Sequence, residues 1–194
     1  MSRSTQTLSP DYFEDLYATD IDPWKFASSD YEREKYAETL AALPEARYSR
    51  ALEVGCSIGV LTHQLAERCE HLLAVDAALA PLEEARRRCR TQANVEFAQM
   101  FVPQEWPQGE FALILLSEVV YYLEAADVDK LAEKVLASLS RRGSIVLVHW
   151  TGETNYPLTG NEAAEIFIAR LEGRVDVIRA DRRPQYRLEV LTRR

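Results

Sequence analysis

The sequence predicts an open α/β sandwich: a mostly parallel sheet, covered by helices on both faces, with an antiparallel C-terminal strand. Three observations carry this. Short apolar runs, read as buried strands, alternate with segments whose apolar residues recur at helical spacing. The first run passes through a glycine-punctuated turn straight into a helix, LEVGCSIGVLT (52–62). The last two runs alternate apolar and polar residues and are joined by DRRPQ, as an antiparallel pair would be.

Taken in order, residues 1–45 form a helical arm before the core, and 46–194 a core within the same single domain. In the arm, DPWKF (22–26) is expected to turn, anchored by Trp24 and Phe26, and YEREKYAETLAAL (31–43) to be a helix. RALEV (50–54) is a strand bounded by Gly55, and GVLTHQLAER (59–68) a helix with Leu61, Leu65 and Ala66 on one side. HLLAVD (71–76) is a strand ending in a carboxylate, LAPLEEARRRCR (79–90) a helix and VEFAQ (95–99) a third strand. FALILLSEVVYYL (111–123) opens as a strand covered on both faces. ADVDKLAEKVLASL (126–139) puts Val128, Leu131, Val135 and Leu139 on one stripe and is expected to stop at Arg141, Arg142 and Gly143. SIVLVHW (144–150) is a buried strand and NEAAEIFIARL (161–171) a helix, before RVDVIRA (174–180) and YRLEVLT (186–192) complete seven strands.

Composition narrows the function classes. A chain of 194 residues with 47% hydrophobic and 28% charged residues has the make-up of a soluble globular domain. Its net charge of −8 argues against nucleic acid, which needs a basic face. The cluster Arg86, Arg87, Arg88 and Arg90 reads as a solvated helix face. No run approaches the roughly 18 apolar residues of a membrane helix, and MSRSTQTLSPDYFED has no apolar signal region, so a cytoplasmic protein is expected. Cys56, Cys69 and Cys89 lack metal-type spacing and read as reduced core thiols, and His63, His71 and His149 are too scattered for a zinc site. No metal is expected.

The chemistry sits in the turn after the first strand. Gly55 lets the backbone bend tightly near a ligand, and Gly59 opens the helix without a side chain in the way. Asp76, at the end of the next strand, is placed to accept both hydroxyls of a ribose. A dinucleotide fingerprint would need a second glycine where Ser57 stands. Glu53 would also repel a pyrophosphate, so a cationic or zwitterionic ligand suits the charge pattern better.

E-x-G-x-S-x-G resembles motif I of the class I S-adenosylmethionine-dependent methyltransferases, usually D/E-x-G-x-G-x-G. The resemblance implies their Rossmann-like fold. It also implies that Glu53 lies near the methionine amino end of the cofactor, Gly55, Cys56, Gly59 and Ala77 line it, and Asp76 holds the ribose. The acid that usually binds the adenine amino group would stand at Phe101; Met100, Phe101 and their backbone, or Gln99, are the substitutes here, with Ser117 as a further cofactor residue. More narrowly, YFEDLYATDIDPWKF, SSDYEREKYAETLAALP (28–44), LEVGCSIGVLT and LSEVVYYL (116–123) together resemble the NodS-like (nodulation protein S) methyltransferases. That family implies N-methylation of an amine on an amino sugar or chito-oligosaccharide, with S-adenosyl-L-homocysteine as product.

Transfer from a sulfonium is an in-line displacement, so the protein has to bind, align and desolvate. Glu118 is the candidate to attract an ammonium acceptor or take its proton, with His149 as a second base and Tyr122 beside them. Trp24, Tyr121 and Trp150 are candidates for contact with a sugar face, and Tyr31, Arg33 and Tyr36 for touching the cofactor across a closing arm. Competing readings are an O-methyltransferase, a nicotinamide-dependent oxidoreductase and a cofactor-binding module without transfer. The expected partners are a small-molecule or oligosaccharide acceptor, neither nucleic acid nor membrane, and a monomer or weak homo-oligomer.

Overall fold

A computed structural model describes residues 3–194. The strands are β1 (Tyr48–Val54), β2 (Cys69–Asp76), β3 (Val95–Gln99), β4 (Phe111–Ser117), β5 (Leu139–Trp150), β6 (Val175–Arg182) and β7 (Tyr186–Arg193). They form one seven-stranded sheet in the order β3-β2-β1-β4-β5-β7-β6. The helices are α1 (Pro10–Thr19), α2 (Asp30–Ala42), α3 (Val60–Leu65), α4 (Leu79–Arg88), α5 (Ala125–Ser138) and α6 (Gly160–Arg170). No helix among the described residues is long and apolar enough to cross a membrane.

The chain divides into two compact units, Ser9–Phe101 and Val102–Arg194 with the leader up to Leu8. In the first, β1 pairs in parallel with β2, aligning Leu52 with Leu73 and Val54 with Val75, and β2 pairs in parallel with β3. Ala51, Leu52, Glu53 and Val54 are all buried, as expected of a strand covered on both faces. Helix α1 was not singled out in the sequence, although Pro10 at its first turn and Phe13, Leu16 and Tyr17 at helical spacing mark it.

In the second unit, β4 and β5 are parallel, with Ile114 to Leu116 opposite Ile145 to Leu147 and all six fully buried. β7 runs antiparallel to both β5 and β6. Val128, Leu131, Ala132 and Val135 form the buried stripe of α5. Thr159 and Glu162 close a capping box at the start of α6, satisfying backbone donors that would otherwise be orphaned.

One boundary needs correction. The expected turn at Arg141 to Gly143 is not a break: β5 begins at Leu139, directly after α5. The positive φ of +63° falls on Arg142. Gly143 has a different reason to be glycine, since a Cβ there would lie 2.9 Å from both Leu139 Cδ1 and the Ser140 carbonyl. The three cysteines are free and buried.

Candidate functional site

In the unit Ser9–Phe101, the turn after β1 is tied to β2 by its own backbone. The N–H groups of Gly55 and Cys56 both donate to the Val75 carbonyl, at 2.8 and 3.0 Å. Gly55, Ser57 and Gly59 take φ of +77°, +47° and +76°, the left-handed region that favours glycine. Gly59 also has a packing role: a Cβ there would meet Ala85 Cβ at 2.8 Å, so its bareness lets α4 approach.

This turn brings Glu53 and Asp76 into one electrostatic neighbourhood. Asp76 is buried; its Oδ2 accepts from Ser57 N–H at 2.8 Å and its Oδ1 from Ala78 N–H at 3.0 Å. Burial pushes its carboxyl up to about 6, against the opposing pull of these backbone donors. Glu53 is only 2% exposed, and its Oε2 has no hydrogen-bond partner in the protein. Burial, and then the nearby Asp76 charge, push it up to about 8; the Thr62 hydroxyl favours the ionised form, yet the two groups make no well-formed bond. Two carboxyl groups thus share one buried neighbourhood, and no ion pair to either is present among the described residues. Cys56 is buried, and burial followed by the Asp76 and Glu53 charges holds its thiol well above the usual range, against a nucleophilic role.

The arm closes on this turn through a residue that sequence reasoning missed. The Tyr17 hydroxyl of α1 donates to Ser57 Oγ at 2.6 Å. Glu14, one helical turn earlier, accepts from Leu79 N–H at 2.9 Å and from Gln99 Nε2 at 3.2 Å. Gln99 Nε2 also donates to the Ala77 carbonyl at 3.0 Å, so this amide braces the strand end. Met100 N–H holds the Asp76 carbonyl at 2.9 Å; Met100, Phe101 and Ala77 are half-buried. α1 is legible as a helix, but nothing local in the sequence pairs residue 17 with residue 57.

DPWKF forms the expected turn. Asp22 caps it, accepting from Phe26 N–H at 2.7 Å and Ala27 N–H at 3.0 Å. Trp24 stacks on Phe26 at 5.4 Å and meets Tyr17 edge-on at 5.8 Å. In α2, Lys35 is buried and pairs with Glu32 at 2.9 Å; its Nζ lies 5.2 Å from the Tyr31 ring centre and 6.0 Å from that of Tyr36. Arg33 is exposed and pairs with Asp30 at 2.5 Å.

In the C-terminal unit, Glu118 takes φ of +57° at the end of β4. Its Oε2 accepts from the Tyr121 hydroxyl and from Trp150 N–H, each at 2.8 Å. Burial, then the Glu118 charge, keep the Tyr121 hydroxyl well above its usual pKa, so it remains a donor. The Tyr121 ring stacks on Tyr156 at 5.3 Å and meets Tyr122 and His149 edge-on at 4.7 and 5.6 Å. His149, the expected second base, is fully buried, and its Nε2 accepts from Val120 N–H at 3.3 Å. Ser117 and Trp150 are half-buried, and Gly152 leaves room for the Trp150 ring, which a Cβ there would strike at 2.3 Å. Among the described residues, no group of three or more His, Cys, Asp or Glu could hold a metal ion.

The family model for Nodulation protein S (NodS) matches residues 9–150. The nodulation protein S of Rhizobium tropici is 32% identical over 127 residues, which are 64% of this chain and 53% of that protein. The chain thus spans about half the length of the curated relatives it matches. A solved structure from Pseudomonas syringae is 36% identical, with a TM-score of 0.75, covering 84% of this chain and 99% of that one. The N-methyltransferase NodS of Bradyrhizobium japonicum WM9, solved with S-adenosyl-L-homocysteine, has a TM-score of 0.81 over 96% of this chain and 99% of its own; at 20% identity it shows the fold.

Proposed function

Because the chain belongs to the nodulation protein S (NodS) family, we propose that it is an S-adenosylmethionine-dependent methyltransferase acting on the nitrogen of a small polar amine. An amino sugar or chito-oligosaccharide is the acceptor class, neither nucleic acid nor membrane. One observation carries the cofactor reading. Glu53 is a buried carboxylate with an unpartnered oxygen and no cation of its own, beside a second buried carboxylate, Asp76. A ligand bearing an ammonium and a ribose supplies what both lack.

When bound, S-adenosylmethionine supplies an electrophilic methyl group on a sulfonium. Glu53 would face the methionine ammonium, and Asp76, preset by the Ser57 and Ala78 N–H groups, would accept from the ribose hydroxyls. Gly55 and Cys56 would present backbone, and the half-buried Phe101 a flat apolar surface. Glu118, aimed by the Tyr121 hydroxyl and Trp150 N–H, is assigned to draw in the protonated amine and take its proton. Tyr121 and Tyr122 are buried beside it and pack on Tyr156, whose half-buried ring is the one assigned to the apolar face of a sugar.

The test is calorimetric titration of the whole chain with S-adenosyl-L-homocysteine beside NAD. Sub-millimolar binding of the first and none of the second is expected; the reverse overturns the reading. Labelled methyl transfer to a glucosamine-bearing oligosaccharide, against its N-acetylated form, then tests the nitrogen acceptor.

A further inference from the structure

Two loops hold the Asp76 carboxylate, and α1 grips both. The first is the turn after β1, whose Ser57 N–H binds Oδ2; the second is the segment after β2, whose Ala78 N–H binds Oδ1. Tyr17 binds the Ser57 side chain, and Glu14 binds the N–H of Leu79, next to Ala78. Ser57 sits at φ +47°, a conformation a non-glycine residue keeps only where its surroundings over-determine it. Here its N–H is held by Asp76 and its Oγ by Tyr17, itself 5% exposed and braced by Trp24.

From this geometry we infer that Tyr17 is a positioning residue for cofactor binding, acting through Ser57 to fix the orientation of Asp76. The aromatic turn Trp24–Phe26 has its purpose in aiming that hydroxyl. Serine at position 57 and tyrosine at position 17 are a matched pair: each supplies the other's buried hydroxyl with its partner. This rests on the cofactor reading above.

A double-mutant cycle on the full chain tests it, with S-adenosyl-L-homocysteine as the calorimetric probe. Tyr17→Phe and Ser57→Ala each remove one hydroxyl and should weaken binding about three- to tenfold. The double variant should be no more than about twofold weaker than the weaker single, because one bond is being removed twice. Unfolding temperatures without ligand separate positioning from packing. Affinity that falls while the ligand-free midpoint holds supports the inference. A lowered midpoint with unchanged affinity overturns it, as do single effects that simply multiply. If Tyr17→Phe does not fold, Ser57→Ala carries the test, since it leaves the aromatic stack intact; unchanged affinity there overturns the inference alone. Absence of binding by the unsubstituted chain overturns the cofactor reading and this inference together.

Discussion

Glu53 in β1 and Glu189 in β7 are both all but fully buried, at 2% and 1% exposure, and the two regions handle the charge in opposite ways. Around Glu189 the chain brings its own cations. Arg187, two residues away on the same face, donates through Nε at 2.8 Å and Nη2 at 2.7 Å, and Arg182 of β6 adds a third contact at 2.5 Å. Arg187 is anchored in turn on the Asn161 carbonyl of α6 at 3.1 Å. Each carboxylate leaves its Oε2 without a hydrogen bond, so that feature does not separate them. What separates them is charge: around Glu53 the neighbour is another carboxylate, Asp76. A chain able to compensate a buried carboxylate at one site has left another uncompensated, which marks the second as a place for a cation from outside.

Breaking the compensated region should have the largest effect. Arg187→Met leaves Glu189 buried with only Arg182, whose side chain is 53% exposed, to answer it. Loss of one partner of a buried pair typically costs about 3–5 kcal/mol, so a large drop in urea midpoint is expected. A loss below about 1 kcal/mol would mean that Arg182 suffices and that the contrast with Glu53 is weaker than drawn.

The uncompensated region should respond in the other direction. Glu53 ionises at its ordinary value near 4.5 when unfolded, but at about 8 when folded. As pH rises between those values, the unfolded chain gives up the proton that the folded chain keeps, so the ligand-free fold loses stability. The stabilisation at stake is up to about 5 kcal/mol, present in full below the unfolded value and gone above the folded one. Glu53→Gln should therefore flatten the decline of thermal midpoint from pH 5 to 8 and be the more stable protein at pH 8. Asp76, raised to about 6, adds a smaller decline at the acid end that remains in the variant. If the two proteins show parallel pH profiles, Glu53 is not the strained carboxylate.

Next in size, Asp76→Ala should weaken S-adenosyl-L-homocysteine binding by about ten- to a hundredfold, the range for hydrogen bonds to a charged group. Unchanged calorimetric affinity would remove Asp76 from the ribose.

These carboxylates were legible in the sequence because strand ends are. An apolar run that closes on Glu53 or Asp76, with glycines after the first, places each side chain at a known edge of the sheet. The alternation of strands and helices was legible for the same reason, and it placed every strand of the sheet. What could not be read depends on partners far away in the chain. Tyr17 finds Ser57 forty residues on, and His149 Nε2 meets the backbone N–H of Val120 twenty-nine residues back. The start of β5 was misplaced because Gly143 looks like a helix stop. Its bareness serves a close contact with Leu139 and Ser140, and Arg142 carries the unusual φ. Local pattern reports direction along the chain; it does not report which side chain fills the space beside it.

The finest distinction between the two carboxylates lies in protons. With Glu53 at about 8, roughly 0.9 of the ligand-free molecules carry a proton there at pH 7. A ligand ammonium placed against that carboxyl favours its ionised form and drives the proton into solution. Asp76, at about 6, is already mostly ionised at pH 7 and can release only roughly 0.1. Binding of S-adenosyl-L-homocysteine at pH 7 should thus release close to one proton, nearly all of it from Glu53. The enthalpy of titration in phosphate and in Tris, buffers that take up protons with different heats, measures that number. In Glu53→Gln it should fall to about 0.1, while Arg187→Met, if it folds, should leave it unchanged because Glu53 and Asp76 are intact. Binding with no proton release in the unsubstituted chain would show that the ammonium lies elsewhere and that Glu53 is buried for some other reason.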